Sequence, residues 1–418
     1  MSFTYLCIDL KTFYASVECA ERGLDTFTTN LVVADKTRGK GALCLAITQS
    51  MKNLGIHNRC RLMEIPEGVE YIIAKPRMKL YIQYAAEVYK IFLKYIDKSD
   101  IVVYSIDESF LDVTKYLNLY KCSAKELAKR IIDDVYQHLH IYATVGIGTN
   151  LYLTKVALDI SAKHSPDLMG ELDEETYQKT LWHHTPLTDF WNIGNGIVKR
   201  LAKYGVKDMF DIAHLNEEII YREFGIKGEF IIDHAWGKEP CTIKEIKNYK
   251  SQHNSLSNGQ VLFEDYNYDD ALLVVKEMVE LNTLELVDKH LVCSGIGLGI
   301  GYSKDVHPSS GGTMALDVNT NSYRTLLKAF NDLYIRTTFK NYPIRRINIS
   351  FLNVISDTYE TYDLFSDEKD LKKEHQVSEA LIAIKKKYGK NSVVKAMNLE
   401  KKATTLKRNK LIGGHNAE

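Results

Sequence analysis

The sequence predicts an α+β fold made of two ferredoxin-like units with a small helical segment between them, and three observations carry the prediction. Over residues 1–165 short apolar strands alternate with amphipathic helices, and an acid-bearing hairpin, IVVYSIDESFLDVT, lies among them. From 166 to 240 short helices follow one another through glycine-containing joints. From 255 to 355 the order βαββαβ reads cleanly.

Each element rests on its own pattern. FTYLCIDL is an apolar run rich in strand formers that ends at an Asp, and FYASVECAE after it has helical spacing. RMKLYIQYAAEVYKIFLKYI reads as a long amphipathic helix, SAKELAKRIIDDVYQHL as another, and YATVGIGT as a strand running into the helix LYLTKVALDISAK. FWNIGNGIVKRLAKYGV and REFGIKGEFIIDHAWG are short helices with Gly joints, and KEIKNYKSQHNS has the polar, basic composition of a linker. SNGQVLF, DDALLVVKEMVELNTLELV, HLVCSGIGLGIGYS, a strand near TMALDV, YRTLLKAFNDLYI and IRRINISFLNVI supply the second unit. The tail after residue 356 begins acidic and turns basic, and its single amphipathic helix reads as exposed or partner-bound.

Composition bounds the class. A chain of 418 residues, 45% hydrophobic and 26% charged, is globular, with room for three or four domains. No apolar run approaches the ~18 residues a bilayer crossing needs, and the N-terminal segment lacks the layout of a secretion signal, so a soluble, cytoplasmic protein with no membrane partner is expected. Seven scattered cysteines, never spaced C-x-x-C, argue against a disulfide framework and a thiolate zinc site, and are read as reduced and mostly buried. His138 and His140 form an H-x-H without acidic or thiol companions, which makes a poor metal site. Net charge is zero, so nothing in the sum announces a nucleic-acid partner.

Three carboxylates carry the chemistry. Asp9 ends an apolar strand, where a charge is expensive unless paired or bound to a cation. Asp107 and Glu108 are adjacent at a strand break, and three acids on one sheet are best rationalised by divalent ions that neutralise them. An oxygen-only set favours Mg²⁺ or Mn²⁺ over zinc, and two such ions are the usual solution for nucleotidyl transfer. By spacing alone the pair also fits a solvated hairpin turn, and Asp9 a strand-end cap.

CIDLKTFYASVE, YSIDESFLDVT and GIGTNLYLTKVALDISAK, in that order and separation, resemble the palm motifs of Y-family DNA polymerases, most closely those of the UmuC-like branch, the catalytic subunit of bacterial polymerase V and its relatives. The resemblance implies a right-hand polymerase: a ferredoxin-like palm (1–22 and 75–165), small fingers (23–74), a helical thumb with a helix-hairpin-helix (166–240), a linker (241–254), a βαββαβ little finger (255–355) and a tail (356–418). It implies that Asp9, Asp107, Glu108 and the Leu10 carbonyl bind two Mg²⁺ ions. It places Tyr14 beneath the sugar of the incoming deoxynucleoside triphosphate, where a ring rejects a 2′-hydroxyl, and leaves Phe13 as core. Lys52 and Lys163 fall where the family contacts the triphosphate, although either also reads as solvated surface; Gln49 stands where many members have a tyrosine, and Lys155 receives no firm role.

The resemblance extends to macromolecular partners. Gly194, Asn195 and Gly196, in NIGNGIVKRL, match the turn of a helix-hairpin-helix, whose amides approach a phosphate of primer–template DNA closely. Arg345 and Arg346 match basic residues laid along the template; as neighbours on a strand they should face opposite sides, and they also read as edge-protecting charges. TYDLF, with Tyr362, Leu364 and Phe365, resembles a degenerate sliding-clamp peptide. Accessory SOS proteins are further expected partners. The implied activity is error-prone translesion synthesis. A nucleotide cyclase shares the acid-bearing palm but has no use for the other domains. A non-catalytic DNA-binding repair factor of the same fold would have lost the acids, which are all present.

Overall fold

The protein is described by a computed structural model covering residues 3–251, 254–304, 306–361 and 368–418. It divides into two compact units, Met1–Tyr249 with Asn416–Glu418, and Lys250–His415. The clamp-peptide residues Tyr362, Leu364 and Phe365 lie outside the described residues.

The first unit opens with strand β1 (Tyr5–Leu10) and helix α1 (Phe13–Ala20). Strands β2 (Leu31–Ala34) and β3 (Cys44–Ile47), helix α2 (Gln49–Asn53) and strand β4 (Ile72–Ala74) form a small separate layer, in which β2 pairs antiparallel with β3 and parallel with β4 over a core of Val32, Cys44, Ile47 and Met51. Helix α3 (Met78–Phe92) leads back to β5 (Ile101–Val103) and β6 (Glu108–Asp112), followed by α4 (Thr114–Tyr120), α5 (Ala124–Leu139), β7 (Ala143–Gly148), α6 (Leu151–Val156) and β8 (Met169–Leu172). The main sheet has the order β5-β6-β1-β7-β8, so Asp9 lies one residue before the end of the central strand. Tyr5, Leu6, Cys7 and Ile8 are at most 1% exposed, as expected of a strand covered on both faces.

Glycines on β7 let a helix lie directly on that sheet. A Cβ at Gly146 would stand 2.1 Å from the Thr154 carbonyl oxygen, and one at Gly148 would stand 2.5 Å from the Thr154 nitrogen. Only a bare backbone allows α6 to approach this closely. Asn150 caps the helix, its side chain accepting from the Leu153 amide at 2.8 Å.

Five helices, α7 (Glu174–Leu181), α8 (Asn195–Leu201), α9 (Met209–His214), α10 (Glu217–Phe224) and α11 (Gly228–Ala235), make a helical layer around Phe190, Met209 and Ile220. Two sequence expectations need correction here. The sheet does not end before residue 166, because β8 pairs parallel with β7 and extends it. The expected linker at 241–254 begins as helix α12 (Ile243–Asn248), closed by a Thr242–Glu245 capping box, with Ile243 buried against Tyr5, Cys7 and Phe110 of the main sheet.

The second unit has the predicted order: β9 (Leu256–Tyr266), α13 (Tyr268–Asp288), β10 (Leu291–Tyr302), β11 (Ser310–Thr320), α14 (Tyr323–Thr337) and β12 (Ile344–Leu352). The sheet runs β11-β10-β12-β9, with Ile296, Ile347, Ile349 and Phe351 facing the helices. The tail departs from expectation. Helix α15 (Glu368–Tyr388) is tied to the unit by Ser322 Oγ donating to Glu374 at 2.9 Å, and the chain beyond it folds back over α13 as far as α16 (Thr405–Arg408). There Glu277, only 1% exposed, accepts from the Thr404 amide (2.7 Å) and hydroxyl (3.1 Å) and from the Thr405 amide (3.2 Å). A buried carboxylate with three donors is a satisfied group, so a segment that looks solvated by composition is built into the core. Among the described residues no helix is long and apolar enough to cross a membrane, and all seven cysteines are free, five of them buried.

Candidate active site

Backbone pairing brings the acids together. In the antiparallel register of β1 and β6, Asp9 stands opposite Glu108, and cross-strand partners project to the same face. Asp107 is in the turn just before β6, and its carbonyl accepts from the Leu10 amide at 2.9 Å. Next to the cluster the chain bends sharply, with Thr12 in the left-handed region at φ 50° before α1 begins. The candidate ligands Asp9, Leu10, Asp107 and Glu108 therefore meet at one end of the central strands.

The electrostatics show what the cluster lacks. Burial, reinforced by the negative charges of Asp107 and Glu108, pushes the Asp9 carboxyl up to about 7, against the opposing pull of Lys155 and Lys163. Excess negative charge on oxygen donors suits a hard divalent cation, and the residues fit Mg²⁺ or Mn²⁺ in donor type. The sign of the pH effect follows. The folded carboxyl sits above its unfolded range, so the contribution of Asp9 to the stability of the metal-free fold is lost as pH rises from about 4 to about 7. Over that interval the melting temperature of metal-free wild type should fall relative to that of Asp9→Asn, and Mg²⁺ at pH 8 should raise the wild-type midpoint. Equal slopes for both proteins would refute the placement of Asp9.

A cationic group borders the acids. Lys52 is pushed down by burial and then by Lys11, while Asp9 pulls it up and Lys163 adds to the lowering, so Lys11, Lys52 and Lys163 share one neighbourhood with Asp9. Lys11, which the sequence reading missed, is likewise pushed down by burial and lies 5.9 Å from the Phe27 ring centroid. Its signal was adjacency: it follows Asp9 by two positions. Gln49, at the start of α2, donates to Asn53 at 2.9 Å.

Tyr14 faces the same region, near enough to Asp107 to feel its charge, whereas Phe13 is core. Its ring stacks on Tyr81 of α3 at 4.5 Å and 15°. Tyr81 donates to Glu18 at 2.8 Å, and Arg77 reaches the same fully buried carboxylate at 2.8 and 2.9 Å. Burial alone would raise Glu18, but the bonds from Arg77, Arg22 and Tyr81 outweigh it and hold the group below its usual range. The aromatic backing of Tyr14 is thus clamped by charge-assisted bonds.

The remaining candidates are placed individually. Gly194, Asn195 and Gly196 are exposed at the start of α8, and a Cβ at either glycine would meet nothing within 4 Å, leaving that helix end open. In the second unit Arg346 is exposed on the outer face of β12, while Arg345, beside a register shift, pairs with Asp265 at 3.5 Å. Lys155, left without a role by its sequence, is 8% exposed and lies 2.8 Å from Glu108.

Comparison with known proteins identifies the class. A Y-family DNA polymerase chimera of known structure superposes with a TM-score of 0.65 at 21% identity, covering 84% of this chain and 99% of its own, so the fold is that of a Y-family DNA polymerase. Residues 8–159 match the impB/mucB/samB family and residues 253–364 its C-terminal domain. A putative UV-damage repair protein, UvrX, of Bacillus subtilis strain 168 is 31% identical over 98% of this chain and 97% of its own length. DNA polymerase IV 2 of Halalkalibacterium halodurans is 26% identical over 98% of each. The chain belongs to the impB/mucB/samB family, the UmuC-like branch of the Y-family polymerases.

Proposed function

We propose that this protein is a template-directed DNA polymerase of the translesion kind, extending a primer 3′ end with deoxynucleotides and tolerating damaged template. The observation that carries the reading is the pairing of Asp9 with Glu108, with Asp107 alongside, in a region where the charges of Lys11, Lys52 and Lys163 act on one another and on Asp9. Acids with lysines in the same neighbourhood are what a triphosphate and its cations require.

In this reading Asp9, Asp107, Glu108 and the Leu10 carbonyl hold two Mg²⁺ ions, with Mn²⁺ as a substitute. Such ions, when bound, supply activation of the 3′-hydroxyl and neutralise charge on the transferred phosphate. Lys52, Lys163 and Lys11 hold the triphosphate as point charges. Tyr14, backed by Tyr81, fills the space a 2′-hydroxyl would occupy. The exposed start of α8, with Gly194, Asn195 and Gly196, offers amides to a duplex phosphate, and Arg346, with Arg345 beside it, follows the template backbone.

The domain roles follow the same division: the sheet of β1, β5, β6, β7 and β8 as palm, the small layer of 23–74 as fingers, the helices of 166–240 as thumb and 255–355 as little finger. A small fingers layer encloses the nascent pair loosely, which supports low fidelity by analogy with the family. Tyr362, Leu364 and Phe365 are proposed to grip the sliding clamp, and accessory SOS proteins are proposed partners.

Primer extension by purified protein with Mg²⁺ on undamaged and lesion-bearing templates tests the reading. Extension past a lesion is the expected result. Its absence, alone and with clamp and candidate activators, would leave a DNA-binding repair factor.

A further inference from the structure

Three acids meeting at one end of a sheet should form a ready cation cage, yet among the described residues no three histidine, cysteine or carboxylate side chains are arranged to hold an ion. Two of the three carboxylates are already engaged. Asp107 accepts from Ser105 Oγ at 2.6 Å. Glu108 Oε1 accepts from Lys155 Nζ at 2.8 Å and from Cys7 Sγ at 3.1 Å.

Lys155 also lies 3.1 Å from Asp159 Oδ2, and the other oxygen of Asp159 accepts from Lys163 Nζ at 3.1 Å. The result is a row of alternating charge, Glu108, Lys155, Asp159, Lys163. Its far end, Lys163, is half exposed and is the lysine assigned above to the triphosphate. A regular α-helix would not keep this row in line, because residues eight apart are rotated by roughly 80°. Here the chain continues from α6 as a π-helical turn over Ala157–Ser161 and a 3₁₀ turn over Ala162–His164, and the two ion pairs along this stretch, Lys155–Asp159 and Asp159–Lys163, both form. The close seat of α6 on Gly146 and Gly148 brings Lys155 within reach of Glu108 across Cys7.

We propose that Lys155 is a positioning residue that occupies Glu108 while no nucleotide is bound, and that the ladder makes its release depend on the triphosphate. When Lys163 turns to the triphosphate, Asp159 loses a partner and draws Lys155 more strongly. Glu108 then becomes free to join Asp9 and Asp107 as a cation ligand. Full cation affinity is thereby reserved for the nucleotide-bound protein. The inference rests on the polymerase reading for the identity of the ligand at Lys163.

Mn²⁺ titration of the full-length, DNA-free protein, read as loss of the free-ion paramagnetic resonance signal, separates the two claims. Lys155→Met should bind Mn²⁺ roughly tenfold tighter than wild type, the scale of one hydrogen bond to a charged group. Asp159→Asn should bind it more weakly, because Lys155 is then left to Glu108 alone. Adding a deoxynucleoside triphosphate should tighten Mn²⁺ binding in wild type and much less in Lys155→Met. Unchanged or weaker binding by a folded Lys155→Met protein overturns the proposal. Should that variant not fold, unchanged affinity in Asp159→Asn does so. Asp9→Asn checks the underlying reading: if it binds Mn²⁺ as wild type does, the metal assignment itself fails, whatever Lys155 does.

Discussion

Asp107→Ala should abolish primer extension, lowering the rate by about a thousandfold or more, or roughly 4 kcal/mol of transition-state stabilisation. The fold should survive. Asp107 sits in a turn, its structural bond is made by its backbone carbonyl to the Leu10 amide, and alanine keeps that carbonyl. The carboxylate makes one local bond, to Ser105, whose hydroxyl alanine would release. DNA affinity, measured by fluorescence anisotropy on a primer–template duplex, should change little, because the proposed DNA contacts lie on α8 and β12. Retained extension at the wild-type rate would remove the acids from their role. Loss of affinity together with activity would point instead to a folding defect, which a thermal melt would expose.

The second large effect is expected at Tyr14. Tyr14→Ala should raise ribonucleotide use relative to deoxynucleotide use by about tenfold or more, read as the ratio of kcat/KM values for the two sugars. The ring is held flat against Tyr81, and Tyr81 is locked through Glu18 to Arg77, so the barrier is a rigid surface rather than a side chain free to swing aside. Tyr14→Phe should keep the discrimination, since the exclusion is made by the ring and not by the hydroxyl. An alanine variant as selective as wild type would show that the sugar is read elsewhere.

The parts that escaped sequence reading share a cause. Lys155 stands in a helix where a lysine ordinarily reads as solvated, and its spacing to Asp159 and Lys163 looks like ordinary surface pairing. Only its burial, made by glycines on another element, shows that its partner is Glu108. The tail was misread for a similar reason. Thr404 and Thr405 are unremarkable in a basic, polar stretch, and the carboxylate that takes their donors is Glu277, 127 residues earlier for Thr404. The helix α12 was legible: Thr242 and Glu245 spell a capping box that the composition of the segment obscured. The strand β8 is four residues long with a glycine inside it, too short for periodicity to announce.

Local pattern sufficed for the βαββαβ order of the second unit, because periodicity depends on neighbours in the chain, while the three acids and Tyr14 were singled out by the resemblance of the motifs that carry them. Long-range packing chose the rest: the register that sets Asp9 opposite Glu108, the buried lysine that holds Glu108, and the carboxylate that fastens the tail. Hydrogen-bond partners a hundred residues apart are selected by which surfaces can lie flush against each other. That selection belongs to the folded chain and leaves no periodic trace in its residues.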